Sequence, residues 1–201
     1  MRRRLSPGAR YGTARSGSAD RPRGVCACRR SEGSRPAAGR GRRVYADEGD
    51  TEAREAMMLA ATQAGIAFSN AGVALVHGMS RPIGAHFHVA HGLSNAMLFP
   101  AVTAFSAPAA ESRYADCARA LGAATDGDSN ALAADRLVEA LRALCQDLEV
   151  PTPQAHGIDK DEWFRLLPFM AEQALASGSP ANNPVVPTAE EIQDLYAQIS
   201  A

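Results

Sequence analysis

Four of the five histidines lie within fifteen residues, at positions 77, 86, 88 and 91. Imidazole nitrogen is a common ligand of divalent metals. His77 and His91 are 14 positions apart, which on one unbroken helix would separate them by ~21 Å, too far to share an ion held ~2.1 Å from each nitrogen. Pro82 and Gly84 lie between them, and a proline inside a helix interrupts its hydrogen bonds. We therefore predict a turn near Pro82 that brings two helices, and these two imidazoles, together.

Two imidazoles do not complete a metal site, because a divalent cation needs at least one or two further ligands. His86 and His88 share a face if the chain there is extended, so either is a candidate ligand or substrate contact. The alternative is that the whole cluster consists of hydrogen-bonded polar residues at a helix junction. His156, beside Gly157, fits a solvated loop. Spacing alone leaves these interpretations open.

Helical periodicity runs from Asp50 to the end of the chain, and no stretch alternates as a strand does. The spacings Asp159 to Glu162 and Thr188 to Glu191 are typical of capping boxes. Each predicted core face carries large apolar residues at helical spacing: Leu137, Leu141, Leu144 and Leu148; Trp163, Leu166, Leu167 and Met170; Ile192, Leu195, Tyr196 and Ile199.

Breakers between these segments, among them Pro100, Pro108 and Pro151, predict five to seven helices. The first predicted helix, from about residue 52 to residue 68, is rich in Ala and Met and contains Gly65. Because small residues allow neighbouring backbones to approach closely, we expect this helix to be central. The fold class is therefore all-α.

The first 43 residues differ from the rest of the chain in charge. They contain thirteen Arg and no Lys against Asp20 and Glu32, a formal charge of +11, whereas residues 44–201 carry −12. Seven Gly and few large apolar residues leave little surface to bury, so ordering entropy is not offset. We assign residues 1–49 to a disordered Arg/Gly-rich arm and residues 50–201 to a helical domain.

Three functions fit such an arm: a nucleic-acid contact, an organelle transit peptide or a non-native leader. Nucleic-acid binding is the least favoured, because aromatic residues are not interleaved with the arginines. A solvated tail fits the composition best.

The four cysteines, at positions 26, 28, 117 and 145, lack the spacing of a disulfide or zinc framework, which favours a reducing compartment, the cytoplasm. We expect Cys117 and Cys145 to pack as small apolar residues. Without a run of 18 apolar residues, no membrane span is predicted. The glycine patterns of dinucleotide and phosphate-binding loops are also missing.

Several motifs together resemble one family. They are REAMMLA at 54–60, GIAFSNAG at 65–72, the segment from His77 to His91, GLSNA at 92–96, DCARALG at 116–122, and the closing Asn183-Pro184, Thr188 and Leu195-Tyr196 pattern. This set resembles the C-terminal helical domain of iron-containing (group III) alcohol dehydrogenases, of the dehydroquinate-synthase-like type. The resemblance covers about 150 residues, from near Asp50 to the end.

The resemblance implies a metal site and a cofactor contact. In that family an Asp and three His hold the ion, and His77 and His91 match the last two histidines; nothing here matches the helix that carries the other two ligands. The ion implied is Fe²⁺, with Zn²⁺ as the alternative. Arg81 stands where many members have a histidine near the nicotinamide, so Arg81 and His91 are expected to contact NAD(P). Ala90 stands where proline is usual. Phe87 and His88 are predicted to line the substrate pocket, with core packing as the alternative.

The function implied is that of a metal-dependent, NAD(P)-linked oxidoreductase that interconverts a primary alcohol and an aldehyde. With two of four ligands and the nucleotide domain unmatched, we expect no activity from this chain alone. A homodimer is the expected assembly. The alternatives are an all-helical interaction subunit that completes a cleft in trans and presents an exposed apolar face, nucleic-acid binding through the arm, or a product of truncation or an altered reading frame.

Overall fold

The computed structural model describes residues 35–200, with side chains from residue 39 onward. Within that range the chain forms helices and no strand, which confirms the all-α fold class, and seven helices follow residue 50, within the predicted five to seven. The helices are α1 (Arg35–Ala46), α2 (Thr51–Ala71), α3 (Leu75–Phe87), α4 (His91–Ser106), α5 (Glu111–Leu121), α6 (Asn130–Asp147), α7 (Lys160–Ala176) and α8 (Ala189–Gln198), with 3-10 turns at Ala107–Ala109 and Ser179–Asn182.

The main core lies between α3, α4, α7 and α8. Trp163 and Tyr196 are fully buried there and meet edge to face, with ring centres 5.8 Å apart. The Tyr196 hydroxyl donates to the carbonyl of Met79 at 2.6 Å, and Trp163 Nε1 donates to the carbonyl of Tyr196 at 3.3 Å. Burial of each large apolar side chain contributes about 1.5–3 kcal/mol. The core therefore fixes the position of α3, the helix that carries His77.

The predicted core faces are largely confirmed. Leu137 and Leu141 are buried in a second, smaller core between α5 and α6. Leu144 and Leu148, farther along the same face, are only half-buried. The predicted faces of α7 and α8 are buried at Trp163, Leu167, Met170, Ile192, Leu195 and Tyr196.

Side chains begin the last two helices as the sequence predicts. At α8 the Thr188 hydroxyl accepts from the backbone N–H of Glu191, whose carboxylate in turn accepts from the N–H of Thr188, so the capping box is complete. At α7 the Asp159 carboxylate accepts from the N–H of Glu162 at 2.8 Å. Only this half of the predicted box is present at α7, and the Glu162 carboxylate lies 3.5 Å from the Arg165 guanidinium.

The predicted turn at Pro82 and the predicted break at Pro100 are wrong. Pro82 lies inside α3 and Pro100 inside α4. A proline in a helix costs about 3 kcal/mol or more, and burial of Pro82 and Ile83 offsets that cost. The chain turns later, at His88, which has φ 56° and donates its N–H to the carbonyl of Gly84.

Helix α2 lies at the periphery, and the prediction that it is central is wrong. Of its residues only Ala53 is buried, whereas Met58, Leu59, Ile66 and Phe68 are exposed. It packs mainly against α1 and meets α3 at 109°. Its small residues permit a close neighbour, but no further helix among residues 35–200 covers it.

No single helix among residues 35–200 is long and apolar enough to cross a membrane. The consecutive helices α2 and α3 reach that threshold only when they are taken together, across their bend.

Helix α1 falls inside the segment assigned to the disordered arm, so residues 35–46 differ from that expectation. Three of its side chains tie it to the domain: Arg42 pairs with Asp147 at 2.6 Å, Arg43 pairs with Asp50 at 2.7 Å, and the Tyr45 hydroxyl donates to Glu149 at 2.7 Å. The prediction of disorder rested on the small apolar surface of the arm, and amino-acid composition does not reveal specific ion pairs of this kind. Residues 1–34 of the arm, with Cys26 and Cys28, lie outside the described residues.

Candidate metal centre

The two imidazoles matched to metal ligands lie next to each other. His77 is in the first turn of α3, and His91 is the first residue of α4. Their ring centres are 5.3 Å apart and the rings are inclined by 56°. A tetrahedral ion ~2.1 Å from one nitrogen of each ring places the two ring centres about 5 Å apart. The pair is therefore spaced to share one cation.

The donor set is incomplete within the described chain. No group of three or more His, Cys, Asp or Glu suited to a metal ion occurs among residues 35–200. Two neutral imidazoles suit the ions that accept nitrogen ligands, Fe²⁺ and Zn²⁺ among them. These residues thus fit such an ion as two of its ligands, and the remaining ligands have to come from outside this range.

His77 is half-buried in α3, and burial lowers the pKa of its imidazole below the ordinary value. The nearby His91 and Arg81 lower that pKa further, because a second positive charge beside either is unfavourable. Arg81 is one turn farther along α3 and is exposed. The surroundings of His77 therefore favour the neutral ring.

His91 is held at both ring nitrogens. The Ser80 hydroxyl lies 3.5 Å from Nδ1, and the Asn95 amide nitrogen lies 3.0 Å from Nε2. Ser94 donates to the backbone carbonyl of His91 at 3.0 Å and does not touch the ring. The amide oxygen of Asn95 is buried and has no hydrogen-bond partner in the described chain. Nothing in the spacing of the sequence indicates these roles of Ser80 and Asn95, although the GLSNA motif contains Asn95.

An apolar groove of about 720 Å³ opens beside His77. The groove is lined by residues from five helices and the α2–α3 connection, among them Phe68, Val73, Val76, Phe99, Leu137 and Leu141. His77 and Asn95 also contribute to its lining. No sequence pattern indicates this groove, because its walls come from positions as far apart as Phe68 and Asn183.

The other predicted site residues do not join this pair. His86 is helical rather than extended, and its Nε2 lies 2.8 Å from the Gln173 side-chain oxygen. Phe87 packs against Trp163 with ring centres 5.4 Å apart, which is the core-packing alternative. His88 is exposed at the end of α3, and neither it nor Phe87 lines the groove. His156 is exposed in a turn, as expected.

Comparison with known proteins identifies the family. The family model described as Fe-containing alcohol dehydrogenase family, C-terminal, matches residues 38–200. The chain belongs to the iron-containing alcohol dehydrogenase family. The match begins twelve residues before the boundary expected at residue 50, so it includes most of α1.

Relatives support the same assignment. Lactaldehyde reductase of Escherichia coli is 38% identical over 149 residues, 74% of this chain and 38% of the relative. 1,3-Propanediol dehydrogenase of Citrobacter freundii is 34% identical over 78% of this chain and 40% of the relative. A crystal structure of 1,3-propanediol oxidoreductase superposes with a TM-score of 0.77 and 31% identity, covering 83% of this chain and 43% of that one.

The chain thus spans about two fifths of the length of the curated relatives that it matches. Its match is to the C-terminal domain only.

Proposed function

We propose that this chain supplies the helical half of a metal-dependent, NAD(P)-linked oxidoreductase that interconverts a primary alcohol and an aldehyde. The observation that carries the proposal is the pairing of His77 and His91 at 5.3 Å on two adjoining helices. The names of the relatives, which are reductases and dehydrogenases of small alcohols or aldehydes, give the reaction class.

In this proposal His77 and His91 each give one nitrogen to the ion, Fe²⁺ in the first place and Zn²⁺ as the alternative. When bound, such an ion acts as a Lewis acid that stabilises negative charge on the substrate oxygen. The contacts of Ser80 and Asn95 limit the motion of the His91 ring. Positioning of this kind is what the protein contributes to cofactor-dependent chemistry.

The apolar groove beside His77 is the surface that we propose for the hydrocarbon part of the substrate. Its lining is largely apolar and includes a candidate ligand, whereas Phe87 packs into the core. Arg81, exposed one turn after His77, and His91 are proposed to contact NAD(P), which is a property implied by the family. His88 keeps only its sequence-based expectation of a substrate contact.

Zinc titration of the full chain tests the proposal. We expect calorimetry to detect Zn²⁺ binding by the unaltered protein. His77→Ala and His91→Ala should each remove that binding, because one imidazole alone holds the ion weakly. His156→Ala is the matched control, since that exposed histidine lies in a turn outside the site. Equal Zn²⁺ affinity in all three variants would contradict the assignment of ligands.

A second candidate function is an interaction subunit that completes a cleft in trans. The observation that favours it is the exposed apolar side of α2, where Ile66 is 62% and Phe68 53% exposed, beside the open groove. Co-expression with the part of lactaldehyde reductase that this chain does not match is the test. We expect reductase activity from the two chains together, none from either chain alone, and loss of that activity in Phe68→Glu. If the two chains did not associate, this function would be contradicted.

The cytoplasmic location and the homodimer stay predictions. The same holds for nucleic-acid binding, since most of the arm lies outside the described residues. Arg42 and Arg43, in the part of the arm that is described, are paired with carboxylates of the domain.

A further inference from the structure

Ser80 lies between the two candidate ligands. Three residues after His77 on α3, its hydroxyl oxygen is 3.2 Å from the carbonyl oxygen of His77 and 3.5 Å from Nδ1 of His91. Ser80 is only 1% exposed. Because a buried hydroxyl takes its partners from the protein, these two histidines are the partners of Ser80.

The number of available protons decides how this cluster is arranged. A hydroxyl has one proton, and a neutral imidazole has one N–H. If Nδ1 of His91 carries the proton, it donates to Ser80, Ser80 donates to the His77 carbonyl, and the Asn95 amide donates to Nε2. All three contacts are then hydrogen bonds.

The opposite tautomer of His91 forms fewer bonds. If Nε2 carries the proton, the Asn95 amide has to turn so that its oxygen accepts. The single proton of Ser80 then serves either the His77 carbonyl or Nδ1 of His91, so two bonds remain. The turn would satisfy the buried amide oxygen of Asn95, which has no partner as it stands. Asn95 alone therefore favours the Nε2–H tautomer of His91. The additional hydrogen bond of Ser80 favours the Nδ1–H tautomer.

We propose that Ser80 is a positioning residue whose hydroxyl accepts the Nδ1 hydrogen of His91 and so keeps Nε2 unprotonated. That lone pair accepts from the Asn95 amide in the metal-free chain and binds a cation when this amide turns away. Histidines that bind metals commonly donate their second N–H to an oxygen in this way. The consequence for metal binding rests on the proposed function, whereas the choice of tautomer does not.

Nitrogen-15 NMR of the metal-free full chain, labelled at histidine, tests the choice of tautomer. In mildly alkaline buffer, two-bond correlations distinguish the Nδ1–H form from the Nε2–H form, and a His91→Gln sample assigns the signals. We expect Nδ1–H for His91 in the unaltered protein and a shift toward Nε2–H in Ser80→Ala. Ser94→Ala is the matched control, because Ser94 is equally buried and bonds only to the backbone of His91.

Zinc titration of the same samples tests the consequence. Ser80→Ala should raise the Zn²⁺ dissociation constant about 10- to 100-fold, and Ser94→Ala should leave it unchanged. An Nε2–H ring in the unaltered protein would overturn the proposal even if Ser80→Ala did not fold, and so would a tautomer that Ser80→Ala leaves unchanged. A Ser80-dependent Nδ1–H ring supports the role of Ser80 even without Zn²⁺ binding, a result that would count against the proposed function alone.

Discussion

The candidate ligands depend on single residues that fix where the helix of His77 lies. Gly78 follows His77 and is buried against the turn at Ser179–Asn182. A Cβ at Gly78 would lie 3.0 Å from two ring carbons of Pro180 and 3.4 Å from the Ser177 hydroxyl. The absence of a side chain at Gly78 thus sets how closely α3 approaches that turn.

We expect Gly78→Ala to lower the free energy of unfolding by about 1–3 kcal/mol, because the added methyl overpacks a buried contact. Gly65→Ala is the control: its Cβ would meet no atom closer than 4.0 Å, and alanine is favoured over glycine inside a helix. Denaturant unfolding followed by circular dichroism measures both. Equal stability of the two variants would show that Pro180 gives way.

At the scale of elements, the site is a helix–turn–helix unit made by α3 and α4. His88 in the left-handed conformation ends α3, and three residues later His91 begins α4. Asn182 donates to the carbonyl of Val73 at 2.9 Å, just before α3 begins. Both ends of α3 are therefore fixed, and the His77 and His91 rings meet because the connection between their helices is short.

Helix α8 packs under this unit through Tyr196 and begins with the Thr188 capping box. We expect Thr188→Ala to lower stability by about 1 kcal/mol, because the first N–H groups of the helix lose an acceptor. Glu190→Gln, in the same turn but outside the box, is the control. Thermal unfolding compares the two, and an undiminished melting temperature for Thr188→Ala would contradict a stabilising role for the box.

The connection between α5 and α6 makes the stability of the protein depend on pH. Asp128 accepts hydrogen bonds from the backbone N–H and hydroxyl of Thr125 and pairs with Arg136 at 2.6 Å. The Thr125 N–H, followed by its hydroxyl and by the charges of Arg136 and Arg119, holds the pKa of the Asp128 carboxyl below its ordinary value. The resulting stability is present above the ordinary carboxyl pKa and is lost as the pH falls below about 4.

Asp128→Asn should therefore lower the melting temperature at neutral pH, and its difference from the unaltered protein should shrink in acid, where both side chains are uncharged. Asp126→Asn leaves the three bonds of Asp128 in place and is the control. Melting curves at neutral and acidic pH measure the effect. A difference that grows on acidification would contradict the assigned direction of the shift.

At the scale of the whole molecule, the described chain leaves apolar surface uncovered. The exposed side of α2 and the groove beside His77 meet at Phe68, which belongs to both. Continuous apolar surface of this kind usually marks a contact with another structure. The chain also spans only about two fifths of the length of its curated relatives and holds two candidate ligands within residues 35–200.

We expect the purified chain to show no turnover of short primary alcohols with NAD⁺ and either Fe²⁺ or Zn²⁺. The two described imidazoles do not complete a tetrahedral site. A spectrophotometric assay of NADH formation measures this, with full-length lactaldehyde reductase as the positive control. Metal-dependent NADH formation by the chain alone would contradict the account of an incomplete centre.

The order of residues along the chain was enough to predict the helical class, the helix that Thr188 begins, the buried faces of α6 to α8 and the histidine pair. Each depends on local spacing: helical periodicity selects a face, a hydroxyl three residues before a carboxylate forms a cap, and the motifs around His77 and His91 carry the family resemblance. Each of these patterns involves residues close together in the chain, so it can be recognised before the fold is known.

Three features became known only from the packed helices: where the chain turns, where α2 lies and what surrounds the candidate ligands. Packing of Pro82 and Ile83 kept α3 helical through the proline and moved the turn to His88. The exposure of α2, the groove and the contact of Ser80 with His91 arise between residues distant in sequence. Local pattern does not encode them, because the free energy that selects among such arrangements comes from contacts that exist only after the helices have packed.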